Sequence, residues 1–150
     1  MPDKLTNIGT ILSVSASLPA TEDVAGYGAL SFTEVAGVAS VPEFGAEYEV
    51  LTHVDVKDGV TRKAHGAVDF GGGTVMYRVV EADAGQGILT TAMDGQDTVS
   101  VKIERASGLI EYFQGIVTAN RTSEASSGNT YTRSSAIQST STIVTDNSGV

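Results

Sequence analysis

The segment LIEYFQGIVTAN, residues 109–120, sets the strongest limit on what this chain can fold into. Read as a strand, it puts Ile110, Tyr112 and Ile116 on one face and Leu109, Phe113 and Val117 on the other. A strand apolar on both faces has no side to give to water, so its sheet needs a cover on each side. The rest of the chain must supply those covers.

Strands are available to build that sheet. ILSVSASL, residues 11–18, alternates, with Leu12, Val14, Ala16 and Leu18 on one face and three serines opposite, as a half-buried strand does. TVMYRVV, 74–80, is a continuous apolar strand, and DTVSVKIE, 97–104, turns Val99, Val101 and Ile103 inward and Thr98, Ser100 and Lys102 outward. Residues 130–144 read as one long final strand; nine of its 15 residues are Ser, Thr or Gln, so at least one face is expected to meet water. SFTEVAGVASV, 31–41, reads as a strand weakened by Gly37 and stopped by Pro42. The stretch before it, PATEDVAGYG, reads as a loop.

One helix is predicted, over about 83–93. Asp83 is a good N-cap, Gln86 completes a capping-box-like pair, and Gly95 stands where a helix stops. Its inner glycines, Gly85 and Gly87, make it marginal alone, so it must dock on the sheet. Residues 42–73 are poorly patterned and are expected to form a long arm or loop. Within them Tyr48, Val50, Thr52 and Val54 alternate with Glu47, Glu49, Leu51 and His53, and Lys57-Asp58-Gly59 has hairpin-turn chemistry. With 17 Gly, more than 30 Ser and Thr, four Phe, five Tyr and no Trp, the composition suits a mainly β fold in a single domain, 1–150.

Little in the chain points to chemistry. The absence of Cys removes disulfides, thiolate metal sites and a cysteine nucleophile. His53 and His65, 12 residues apart, lack the spacing of a metal pair, and no cofactor is expected. Gly71-Gly72-Gly73-Thr74 is followed by a strand and no Lys, so a flexible turn is expected there, not a phosphate loop. Asp94-Gly95-Gln96-Asp97 falls short of a calcium loop, Asn120-Arg121-Thr122 is a glycosylation sequon that matters only on secretion, and there is no Gly-x-Ser-x-Gly elbow. An enzyme is not expected. Neither a secretory leader nor an apolar run long enough to span a membrane is read at the sequence level.

Charge is distributed unevenly. The formal net charge is −9, and between Lys4 and Lys57 no Lys or Arg occurs against seven carboxylates: Glu22, Asp23, Glu34, Glu43, Glu47, Glu49 and Asp55. Such a surface repels nucleic-acid phosphates. The nine basic residues are scattered, with no aromatic platform among them for bases to stack on.

The order of motifs carries a resemblance. Gly9-Thr10-Ile11-Leu12-Ser13-Val14 opens the chain, followed by Pro19-Ala20-Thr21, Gly26-Tyr27, Phe32-Thr33-Glu34-Val35 and Pro42-Glu43-Phe44-Gly45. Downstream come Asp83-Ala84-Gly85-Gln86 and Tyr112-Phe113. This order resembles the major tail tube proteins of long, non-contractile-tailed bacteriophages, prophages and gene transfer agents, across residues 9–144, with short flexible termini outside. The resemblance implies a β-sandwich or partial barrel with one flanking helix, and a structural virion protein made in the bacterial host cytoplasm and built into the tail. It implies hexameric rings that stack into a tube around a tape measure protein, between a baseplate-side initiator and a tail terminator. DNA would pass through the lumen without specific binding, and no membrane is involved. Contacts between copies are then expected at Tyr27, Phe32, Phe44, Tyr48 and His53, and lumen-facing carboxylates at Glu34, Glu47 and Glu49. Close backbone packing between copies is expected of the small residues in VAGYGALSFTEVAGVASVPEFG, 24–45. An immunoglobulin-like β-sandwich used for binding or decoration is the alternative, although 42–73 is long for a connection in such a domain.

Overall fold

The computed structural model describes residues 8–123, 125–128 and 130–149. In chain order the elements are β1 (Ile11–Ser15), α1 (Val24–Gly28), β2 (Thr33–Glu34), β3 (Val38–Ser40), β4 (Glu47–Val54) and β5 (Thr61–Asp69). There follow β6 (Gly72–Arg78), α2 (Ala84–Gly95), β7 (Thr98–Glu104), β8 (Ile110–Thr122), β9 (Thr132–Ser139) and β10 (Val144–Asp146). Eight strands form one antiparallel sheet in the order β2-β1-β7-β8-β9-β6-β3, with β10 paired to β8; β4 and β5 form a separate two-stranded ribbon.

The order of strands forces the sheet to curl. β2 and β3 occupy opposite ends of the row, yet only residues 35–37 separate them. Six inter-strand gaps laid flat would span about 29 Å, whereas the chain from Glu34 to Val38 reaches at most about 14 Å. The margins must therefore come round to meet this segment, and a partial barrel results. Val35 N–H donates to the Leu12 carbonyl at 2.9 Å, and Arg78 N–H to the Gly37 carbonyl at 2.9 Å, so the segment latches both margins. The expected single strand over 31–41 is thus two strands on opposite margins. Gly37, at φ +72° and with the Arg78 carbonyl 2.9 Å from where a Cβ would sit, makes the bend between them.

Inside the curl, α2 covers Leu12, Val14, Val101, Phe113 and Ile137 with Leu89 and Ala92, all of them buried. The helix starts as expected, with the Asp83 carboxylate accepting from Gln86 N–H at 3.0 Å. Gln86 does not close a capping box. The Asp83 N–H donates to the Val80 carbonyl instead, and the Gln86 side chain is buried against the latch. Its Oε1 accepts from Val80 N–H at 3.0 Å, and its Nε2 donates to the Ala36 carbonyl at 2.9 Å and the Arg78 carbonyl at 2.8 Å. The helix ends on Gln96, left-handed at φ 57°, one residue beyond the glycine expected to stop it.

The second cover comes from a segment expected to be a loop. Residues 19–32 fold over the outer face of β1, β7 and β8 and contain α1, whose N-cap Asp23 accepts from Gly26 N–H at 2.7 Å and from the Thr21 hydroxyl at 2.8 Å. Tyr27 stacks on Tyr112 with ring centroids 5.2 Å apart, and Phe32 tilts against the same ring at 5.8 Å. The two-faced strand therefore has both its covers: Tyr112 under α1, Phe113 under α2. Ser13, Ser15 and Ser100, read as solvent-facing, are buried here, and the Ser100 hydroxyl donates to the Ser17 carbonyl at 2.8 Å. The last strand is likewise two. β9 pairs with β6 and β8, the ladder is interrupted at 140–143, where Thr140 N–H donates to the Gln114 carbonyl at 2.9 Å, and β10 resumes along the start of β8.

The hydrogen bonds to Asp23 hold its carboxyl below the ordinary value of 3.8, the Gly26 N–H being the largest cause and the Thr21 hydroxyl the next. A depressed folded-state value means that α1 gains stability from the ionised cap above pH 3.8 and loses it as the pH falls through the folded value. The Tyr27–Tyr112 near-ultraviolet dichroism is expected to fade over that acid range before the far-ultraviolet sheet signal does. Asp23→Asn keeps an acceptor at the cap and should remove this early phase; an unchanged acid profile in that variant would refute the assignment.

Candidate assembly surface

Beyond the curled sheet projects the β4–β5 ribbon, about 26 Å long for its eight-residue first strand. It occupies the region expected to be an arm, and it is an ordered hairpin, not a loop. Every residue of β4 and every residue of β5 except Gly66 is exposed. The ribbon packs chiefly on its own two strands.

Alternation sorts β4 into two faces. Tyr48, Val50, Thr52 and Val54 share one, opposite Val68, His65, Lys63 and Thr61 of β5, with a bulge where β5 has an extra residue near Gly66. Tyr48 meets His65 edge-on at 5.1 Å. Glu47, Glu49, Leu51 and His53 share the other face, opposite Asp69, Ala64 and Arg62. One side thus gathers Tyr48, Val50, Val54 and Val68 beside a single charge, Lys63, and the other carries the carboxylates together with Leu51. Tyr48, Val50, Val54 and Val68 remain 53, 60, 53 and 39% exposed. An isolated two-stranded hairpin is marginal in water, and clustered exposed apolar side chains on one make it a candidate contact surface.

Both ends of the ribbon are fixed. At its root Phe44 packs on Phe113 with centroids 4.5 Å apart, and Ser139 N–H donates to the Gly71 carbonyl at 2.9 Å. Gly72 and Gly73, expected to be part of a flexible turn, lie in β6 paired with Gln138 and Ile137. At the tip, Gly59 N–H donates to the Asp55 carbonyl at 2.8 Å, and Gly59 takes φ +66°, closing a six-residue loop around the expected Lys57-Asp58-Gly59 turn. Arg62 reaches Asp55 at 2.6 Å through Nε and Asp58 at 3.0 Å through Nη2, while His53 Nε2 lies 3.0 Å from Asp55. These pairs are exposed and shape the tip more than they stabilise it.

The residues singled out from sequence are distributed as follows. Tyr27 is wholly buried in the subunit, so its ring is part of the core and not of any outer surface. Phe32 and Phe44 are half-buried, on opposite faces of the sheet, engaged with Tyr112 and Phe113. Tyr48 and His53 are exposed on opposite faces of the ribbon. Glu47 and Glu49 share the polar ribbon face with His53, while Glu34 is exposed on β2, at the margin of the main sheet. His53 and His65 point to opposite faces, and among the described residues no three metal-ligating side chains cluster. Val56, Val60 and Val68, which periodicity did not single out, are also exposed. Asn120 of the sequon donates to the Thr90 hydroxyl at 3.3 Å and accepts from Ser135 at 3.3 Å, so it belongs to the packing of α2 on the sheet. Among the described residues no helix is long and apolar enough to cross a membrane.

By sequence, neither a family profile nor a curated protein matches the chain. By structure it is similar to a chain of the anti-feeding prophage baseplate, solved with six-fold symmetrisation, at a TM-score of 0.67 and 8% identity over 97% of each chain. It is similar to a chain of the sheath/tube terminator of the extracellular contractile injection system PVC, at 0.64 and 11% identity, again over 97% of each. The SPP1 tail tube matches at 0.63 and 14% identity, over 94% of this chain and 77% of that one. The fold is a tail-tube-type β fold, shared with these three assemblies. One curled sheet, in place of two sheets packed face to face, sets it apart from the immunoglobulin-like alternative.

Proposed function

We propose that this protein is a structural subunit of a phage-type tail, which assembles into hexameric rings that stack as a tube and conduct DNA from the capsid. The observation that carries the proposal is the amphipathic ribbon, a rigidly rooted element whose apolar face nothing in the subunit covers. A neighbouring copy covers it, with Tyr48 among the contacts and His53 on the reverse side. The fold supports this reading, and the six-fold symmetrised relative supports the ring number. The chain would work in the tail of the virion with a tape measure protein, an initiator at the baseplate side and a terminator at the other end. Its role is mechanical and needs no catalytic group.

Electron microscopy of the purified full-length protein tests this directly. Rings or tubes about 10 nm across are expected for six domains of this size. A protein that stays monomeric at high concentration refutes the proposal.

The same reading gives the acidic half of the chain a task. Carboxylates at Glu34, Glu47 and Glu49 would face the lumen and keep DNA phosphates from binding the wall. Glu47→Lys combined with Glu49→Lys should leave tubes able to form but slow DNA release by at least about tenfold, through new phosphate contacts. Normal ejection from such tubes would show that these two carboxylates do not act on the passing DNA.

A further inference from the structure

A cavity opens between α2 and the β1–β7 side of the sheet. It is an open groove of about 690 Å³, with walls that include Ala16, Leu18, Ile88, Ala92 and Val99 and a margin at Thr91. Leu18 is 49% exposed there. Asp97 stands on the wall, and Asp94, three residues before it, lies in the last turn of α2; both are exposed. That turn contains no basic residue, so its free carbonyls add to the negative field. The groove asks for an apolar plug with a cation beside it.

Such a plug exists on the same chain. At the ribbon's tip Val56 is fully exposed, Val60 is 48% exposed, and Lys57 stands between them. The tip's own carboxylates, Asp55 and Asp58, are engaged by His53 and Arg62, and Lys57 has no carboxylate partner among the described residues. Although the protein is acidic overall, three of its nine basic residues, Lys57, Arg62 and Lys63, fall in this short stretch. The Gly59 turn and the Arg62 bridges hold the tip in shape before any partner arrives, which reduces the ordering cost of docking.

We propose that the groove beside α2 is the seat for the ribbon tip of a second copy. Val56 enters the apolar cavity and Lys57 meets Asp97 and Asp94. The tip and the groove are different surfaces of one chain, so the contact is head-to-tail and propagates from copy to copy instead of closing a two-fold dimer. This rests on the tube proposal and adds the surface that receives the ribbon.

The absence of cysteine makes the test clean. Full-length protein carrying Val56→Cys and Thr91→Cys is assembled, oxidised and run on a non-reducing gel. A ladder of covalent oligomers is expected, with none from either single-cysteine variant. Lys57→Glu and Asp97→Lys should each raise the concentration needed for assembly about tenfold, and combining them should restore most of the loss. Tubes that form without the ladder, or a ladder from the Val56→Cys variant alone, overturn the seat while leaving the tube standing. If no ring or tube forms from the unmodified protein, both proposals fall.

Discussion

Val50→Asp combined with Val54→Asp is expected to abolish tube formation and leave a folded monomer. Both valines lie on the apolar face of the ribbon, 60 and 53% exposed in the subunit. Covering the remaining half of each of the four apolar side chains, Tyr48, Val50, Val54 and Val68, contributes about 1 kcal/mol apiece. Two carboxylates on that face remove half of the gain and must also be desolvated without partners, at a few kcal/mol each. At about 1.4 kcal/mol per decade, the concentration needed for assembly rises at least about a hundredfold. The subunit itself should be nearly indifferent, because the ribbon packs chiefly on itself, both valines are exposed, and exposed substitutions usually change stability by under about 0.5 kcal/mol. Sedimentation velocity and thermal denaturation of the same samples check both halves. Polymer of normal length from this variant would remove the ribbon from the interface.

The second large effect is inside the subunit. Gln86→Leu should cost about 2–4 kcal/mol, because three backbone groups lose their partner at once: Val80 N–H and the carbonyls of Ala36 and Arg78. For a chain of this length that lowers Tm by about 8 °C. The damage should be local in origin, with hydrogen exchange accelerating first at residues 35–37 and at Val80, ahead of the β7–β8 pairing. A variant that loses less than about 1 kcal/mol and keeps its protection would show that the glutamine fills space without fastening the latch.

How much of this was legible in the sequence depended on how local the cause was. The two-faced strand was plain because six apolar residues alternate within it, and the helix was plain because Asp83 caps it from the neighbouring position. The arm was visible as a region; its amphipathic first strand could be sorted into faces, while β5, with Gly66 and a bulge, could not. Tyr27 was misplaced because nothing nearby in sequence shows that residues 19–32 return across the sheet to Tyr112. Ser13, Ser15 and Ser100 were misplaced for the same reason: serine reads as solvent-facing until a distant segment lies over it. Gln86 looked like a capping residue because its real partners, at 36, 78 and 80, converge only in the folded state. The single strand read at 31–41 was wrong for a topological reason, since only the curl of the sheet puts its two halves on opposite margins. The groove beside α2 left no trace in the sequence, being made from residues around 16–18, 84–92 and 96–99.

The latch at residues 33–40 also sets a timetable for folding. It can register only when both margins exist, and these are built from distant chain: Ser13 aligns with Lys102, and Gly72 with Gln138. Topologies dominated by such remote pairings fold slowly, on the scale of milliseconds to seconds. Fastening the latch is thus the closing event, and the ribbon leaves the body a few residues later, anchored by Phe44. An unfinished copy holds out an arm with no fixed bearing, whereas a finished one aims it. In the tube proposed above, a growing end that accepts only aimed arms would proofread its own supply, rejecting immature chains by geometry before they could become defects in the wall.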